Sequence, residues 1–200
     1  MSSIEDQLFK AISEGKVEDV ENIILKRSDI DLKYLGPFFL NCAIRFHQQL
    51  VVKILIKLGA NINGVDDFSL TPLHVASGMG YEEIVKLLIK EGAQINTRNG
   101  VGRTPLYESV ILSDSPTSIA KILLQNDADI DFPDYRGNSP LHIAVNVWKN
   151  EYALFLMRNG ASLKIKNQNG MNSVELTILQ MNLKGNTETF KCILCYQHNY

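Results

Sequence analysis

Thr71-Pro72-Leu73-His74 returns 33 positions later as Thr104-Pro105-Leu106-Tyr107, and 35 positions after that as Ser139-Pro140-Leu141-His142. A further 33 positions reach Asn172-Ser173-Val174-Glu175, which keeps the frame without the letters. Counting back 33 from Thr71 gives Phe38, with Cys42-Ala43 in place of Val75-Ala76. Another 32 gives Asp6, with Ala11 at the alanine position. A second string keeps the same frame: LIKLGANIN at 55–63, LIKEGAQIN at 88–96, LLQNDADID at 123–131 and LMRNGASLK at 156–164. A supersecondary unit this short cannot bury its own apolar face, so it must stack on its neighbours.

The unit can be read physically. Thr71 is placed to cap a helix, and Pro72 takes the first helical position, where a missing N–H costs nothing. Leu73 and Ala76 fall on one face of a helix of about two turns, which Gly78 and Gly80 help to end. Ile84, Leu87 and Leu88 mark the apolar face of a second helix, closed by Gly92. Helices of this length do not persist alone, because nucleation costs more than so few hydrogen bonds return. The stretches INTRNGVGR (95–103) and DFPDYRGNS (131–139) are rich in turn formers and read as fingers between units.

The period and the T-P-L-H-x-A string resemble the ankyrin-repeat family over nearly the whole chain. The resemblance implies an all-α solenoid of paired short antiparallel helices with β-hairpin-like fingers. It implies a single domain, 1–200, with repeats at about 4–35, 36–68, 69–101, 102–136, 137–169 and 170–200. The degenerate first and last repeats are expected to act as caps.

Composition narrows the function classes. Apolar residues make up 45% of the chain and charged residues 21%, enough for a core in a soluble protein. No apolar run approaches the roughly 18 residues of a membrane span, and MSSIEDQLFKAISEGK does not read as a secretory signal. Cys42, Cys192 and Cys195 make a poor disulfide framework and suit a reducing compartment. The expected location is the cytoplasm, with the nucleus within diffusive reach at 22.5 kDa. A net charge of −2 gives no reason to bind nucleic acid or an anionic membrane.

Candidate chemistry is sparse. His74 and His142 share a frame position with Asn41, Tyr107 and Glu175, which could not share a catalytic or metal role. The resemblance implies a histidine that hydrogen-bonds between neighbouring turns. Glu82 and Glu83 open the second helix, where negative charge complements the macrodipole. Their counterparts Gln49-Leu50 and Asn150-Glu151 preserve no acidic pair. Cys192-x-x-Cys195-x-x-His198 has metal-ligand spacing but lacks a second pair, so it reads as terminal core. RNGVGR lies in a finger, and no phosphate-binding loop or nucleophile elbow is found. The expectation is no enzyme, no cofactor, no metal and no small-molecule substrate.

Function is then expected on side chains that the repeat frame leaves free. The resemblance places these at the finger tips and at the ends of the first helices, lining a concave side. The tip positions are Tyr34, Leu35, Pro37, Asp67, Phe68, Leu70, Val101, Arg103, Tyr135, Arg136, Asn138, Gln168, Asn169 and Met171. The helix-end positions include Arg45, Phe46, Met79, Ile111, Leu112 and Val147. Aromatic residues and arginine are enriched at binding hot spots, so one mixed apolar and cationic stripe for a partner protein is expected. In ILSDSPTSIAKIL the fourth repeat gains two residues, with Ser115-Pro116 a candidate modification site. Trp148 stands where the third repeat has Gly80. The design is similar to inhibitor-of-NF-kappa-B-like ankyrin proteins, including short viral and parasite versions. That implies an adaptor or inhibitor, monomeric when free. Two rival readings are a substrate-recruiting subunit of a ubiquitin ligase and a metal protein built on the terminal Cys-x-x-Cys. The first needs an F-box or SOCS-type box that QMNLKGNTETFKCILCYQHNY (180–200) does not match.

Overall fold

A computed structural model describes residues 3–26, 32, 35–112 and 117–184, with the side chains at 112 and 181–184 left aside. Among the described residues the secondary structure is helical, with eleven helices and no strand. The chain divides into two compact units, 1–94 and 95–200. The first unit holds α1 (Ile4–Ser13), α2 (Val17–Leu25), α3 (Gly36–Arg45), α4 (Gln49–Lys57), α5 (Pro72–Met79) and α6 (Glu82–Lys90). The second holds α7 (Pro105–Leu112), α8 (Ser118–Leu124), α9 (Pro140–Asn146), α10 (Asn150–Arg158) and α11 (Ser173–Lys184).

Stacking follows the period. In the first unit each helix pair packs internally, α1 on α2, α3 on α4 and α5 on α6. Neighbouring pairs meet as α1 on α3, α3 on α5 and α2 on α4. In the second unit α7 packs on α8 and α9, and α9 on α10 and α11. The apolar frame positions form the two cores. Leu40, Ala43, Leu73, Ala76, Ile84 and Leu88 are buried in one, and Leu106, Leu141, Ala144, Leu156 and Ala153 in the other.

The cap chemistry carries over where the letters change. Thr71 Oγ1 accepts from the His74 N–H, and the His74 ring nitrogen Nδ1 accepts from the Thr71 N–H at 3.2 Å. Ser139 and His142 repeat the arrangement. At the last helix Asn172 Oδ1 accepts from the Glu175 N–H at 2.9 Å, while Glu175 Oε2 accepts from the Asn172 N–H at 2.8 Å. Glutamate thus does the work of histidine in a capping box. Two details differ from the sequence reading. Gly78 lies buried inside α5, and Gly80 alone takes the left-handed conformation, φ 75°, that ends it. The helix of the second repeat starts at Gly36, so Pro37 sits buried in its first turn instead of at a finger tip, and Leu35 is its N-cap. Proline favours a first helical turn for the same reason Pro72 does.

The Gly80 position is filled by His47 at φ 55° and Trp148 at φ 64°. A left-handed conformation costs a side-chain-bearing residue roughly 1–2 kcal/mol. Ring packing offsets that cost at His47, which stacks on Tyr81 with centroids 4.0 Å apart. Trp148 is half-buried.

Four fingers lie among the described residues, and they are tight turns with no strand ladder. Each is closed by a backbone bond across four residues: Asp66 N to Leu70 O, Asn99 N to Arg103 O, Asp134 N to Asn138 O and Asn167 N to Met171 O. Within each, the Asp or Asn Oδ1 accepts two further N–H groups. The donors are Phe68 and Leu70, Val101 and Arg103, Arg136 and Asn138, and Asn169 and Met171. Competition of this kind, side chain against ladder, is the way Asp and Asn build turns.

In three repeats the residue in the histidine frame ties the first helix to a finger. Asn41 Nδ2 donates to Asp66 Oδ2 and to Leu70 O, and Tyr107 Oη donates to Asp134 Oδ2 at 2.7 Å. The His142 nitrogen Nε2 lies 3.1 Å from Met171 O. A carbonyl only accepts, so Nε2 carries the proton, and Nδ1 is left to accept from Ser139 N and Oγ. Burial also pushes the imidazole pKa below its ordinary 6.5. The ring is a neutral tether.

His142→Ala is expected to cost about 1–3 kcal/mol, because buried donors and acceptors lose their partners. His142→Asn is expected to cost less, since Asn41 makes the equivalent bond; urea unfolding at pH 7 measures both. A histidine with a lowered native pKa binds fewer protons folded than unfolded, so its contribution is full above pH 6.5 and is lost as pH falls below that value. The fall in stability from pH 7 to pH 5 should therefore be smaller in His142→Asn than in the parent.

Candidate functional site

In the first unit the finger closed by Asp66 carries Asp67 and Phe68 at its tip. Both are exposed, and Phe68 keeps 76% of its surface. Leu70 is half-buried where the finger returns to α5. Two first helices end beside exposed apolar groups, Phe46 after α3 and Met79 in α5. Phe46 is not isolated, because its ring meets Phe9 edge-on with centroids 5.8 Å apart. Arg45 is exposed, with its guanidinium 3.7 Å from the carboxylate of Asp66.

The second unit gathers more of the expected residues. Val101 and Tyr135 stand on successive fingers, 53% and 56% exposed. A backbone bond from Tyr135 N to Val101 O, 3.2 Å, joins the two turns. Gly102 permits this approach: its φ is 85°, and a Cβ there would stand 2.6 Å from Tyr135 N. Between the fingers lies a groove of 470 Å³ lined by Gly100, Val101, Arg103, Tyr107, Asp134, Tyr135, Arg136, Asn138, Ile143 and Asn146. Ile111 and Val147 are half-buried at the ends of α7 and α9. Tyr34 and the side chain of Leu112 lie outside the described residues, as do Ser115-Pro116, Cys192, Cys195 and His198.

Charge under the groove is organised from inside. Glu108 is buried on α7, where its Oε1 accepts from Asn99 Nδ2 at 2.8 Å and faces Arg103 at 3.7 Å. Burial raises the carboxyl pKa above its ordinary 4.5, and the Arg103 charge and Asn99 bond oppose the rise. Asp134 is also buried; its four acceptances come from Arg136 N, Asn138 N, Asn138 Nδ2 and Tyr107 Oη. Burial and that last bond hold the Tyr107 phenol protonated far into alkali. Arg103 also lies 5.3 Å from the Tyr107 ring centroid. Arg136 is exposed and has no ion-pair partner among the described residues. These groups hold a turn in shape, and none forms a nucleophile–base pair.

Two of the arginines expected to meet a partner already face a carboxylate across a helix–finger junction: Arg45 of α3 faces Asp66 of a finger, and Arg103 of a finger faces Glu108 of α7. The residues that sequence reasoning missed are the finger centres Asp66, Asn99, Asp134 and Asn167, and Arg98. Arg98 lies 4.6 Å from the Phe132 ring centroid and 5.1 Å from that of Tyr135. The finger centres had a signal, since an Asp or Asn recurs there at the repeat period. Elsewhere, burial pushes the Cys42 thiol up to about 11, which leaves it inert. Among the described residues no three His, Cys, Asp or Glu side chains gather where a metal could bind.

A family profile for ankyrin repeats, built as three copies, matches residues 8–99. A single-repeat profile matches residues 136–168. Among characterised proteins, 57 residues are 33% identical to the ADP-ribosylation factor GTPase-activating protein AGD4 of Arabidopsis thaliana. That match covers 28% of this chain and 7% of the relative. Ankyrin repeats are protein–protein interaction modules and typically non-catalytic. With its period, its helix pairs and its profile matches all in one frame, this chain belongs to the ankyrin-repeat family.

Proposed function

We propose that the protein works as an adaptor or inhibitor, holding a partner protein against its finger tips and first-helix ends without catalysing a reaction on it. The observation that supports this reading most is the exposure of Phe68, Val101 and Tyr135 on turns whose geometry is set by other residues. Large apolar groups at such positions contribute nothing to closing the finger. In water they cost solubility, and a partner that covers them recovers hydrophobic free energy. Aromatic residues and arginine are enriched at binding hot spots. Arg45, Arg103 and Arg136 supply the cations, with Leu70, Phe46 and Met79 extending the apolar contact in the first unit.

Affinity capture with the intact chain and with a Phe68→Ala, Val101→Ala, Tyr135→Ala variant tests the reading. Each truncation at a hot spot costs about 2 kcal/mol or more, so partners held by the intact chain should be largely absent from the variant. Leu50→Ala, on the exposed side of α4, should retain them. Recovery of the same partners at the same yield by the triple variant, with its helical circular dichroism intact, contradicts the proposal.

A further inference from the structure

We propose that the groove between the fingers of residues 99–103 and 134–138 binds an extended acidic segment of the partner. One carboxylate would lie on Arg136, and a neighbouring apolar side chain would lie between Val101 and Tyr135. This rests on the protein-binding reading above and adds the chemistry of the bound segment.

Three observations converge. The groove is built in advance: Tyr135 N bonds to Val101 O at 3.2 Å, Gln168 Nε2 to Tyr135 O at 2.8 Å and Gln168 N to Arg136 O at 2.9 Å. Little ordering cost remains for binding to meet. Its acidic groups face inward and are already engaged. Asp134 accepts from four donors, and Glu108 beneath the wall is held by Asn99 and Arg103. The outward cation among the described lining residues is Arg136, which is exposed, while Arg103 faces Glu108 at 3.7 Å and Arg98, outside the lining, donates to Pro133 O at 2.8 Å. The accessible charge is therefore positive, on a chain whose net charge is −2.

Size and charge together select the ligand. A volume of 470 Å³ receives a few side chains and falls within the roughly 300–1,000 Å³ typical of small sites. One unengaged guanidinium suits one or two carboxylates, whereas a nucleic acid needs a row of cations. The exposed Val101 and Tyr135 call for an apolar neighbour to the acid. A bidentate bond from Arg136 would fix the register of the segment.

The test is fluorescence anisotropy on the full chain with short labelled Gly/Ser peptides carrying Glu-Leu, Gln-Leu, Lys-Leu or Glu-Ser at the centre. The Glu-Leu peptide should bind, with Gln-Leu and Glu-Ser each weaker by about tenfold, as expected for loss of one charged hydrogen bond or one buried side chain. Arg136→Glu should abolish Glu-Leu binding and favour Lys-Leu, Arg136→Gln should weaken Glu-Leu binding, and Lys53→Glu, on the exposed side of α4 in the other unit, should leave it unchanged. Equal affinity for Glu-Leu and Gln-Leu, indifference to Arg136→Glu in a folded variant, or no binding of Glu-Leu overturns the proposal. So does equal competition by N-acetylglutamate, which assigns the groove to small carboxylates. If peptide charge proves irrelevant while the triple tip variant still loses captured partners, the binding function stands and this inference alone fails.

Discussion

One side-chain oxygen holds each of the four described fingers in shape. At Asp66, Asn99, Asp134 and Asn167 the Oδ1 atom accepts two backbone N–H groups, and the same residue's own N–H closes the turn. A loop that meets its backbone hydrogen-bonding needs internally does not depend on the side chains at its tip. Phe68, Val101, Tyr135 and Arg136 are consequently free to vary. The histidine-frame residue joins this turn to the helix behind it, with Asn41, Tyr107 and His142 using three different donors for one purpose.

The same arrangement determines the electrostatics. Carboxylates that close fingers are buried, and their lone pairs are filled by protein donors, so the negative charge is spent internally. Arg45 stands over the finger carboxylate of Asp66 and Arg103 over the buried Glu108 of α7, each at 3.7 Å, which offsets part of the desolvation cost. Buried ion pairs are poor stabilisers in their own right. Here their effect is to set a guanidinium beside a buried carboxylate at two helix–finger junctions.

Much of this was legible in the sequence. The period located the helix pairs, the Thr-Pro and Ser-Pro starts located the caps, and frame logic assigned His74 and His142 to packing. Frame position also picked out Phe68, Val101 and Tyr135, which are exposed in the structure because nothing in the turn requires them. Other features depend on distances that spacing does not encode. The Asp and Asn finger centres repeat at the period, yet in sequence they read as generic turn formers among other Asn, Asp and Gly residues. The early start of α3 follows from Pro37 entering the helix, which the frame letters at Phe38 conceal. The pairings of Arg45 with Asp66 and Arg103 with Glu108 join a helix to a finger, contacts that only the fold brings about. His47 and Trp148 show the reverse, a glycine position kept in conformation though lost in letter.

Amide hydrogen exchange at the fingers tests the central claim most directly. The N–H groups of Val101, Arg103, Arg136 and Asn138 should exchange more slowly than an unstructured chain despite lying in surface turns. Asn99→Ala should release the first two and leave the others slow. Finger amides that exchange at the unstructured rate in the parent protein would contradict the account.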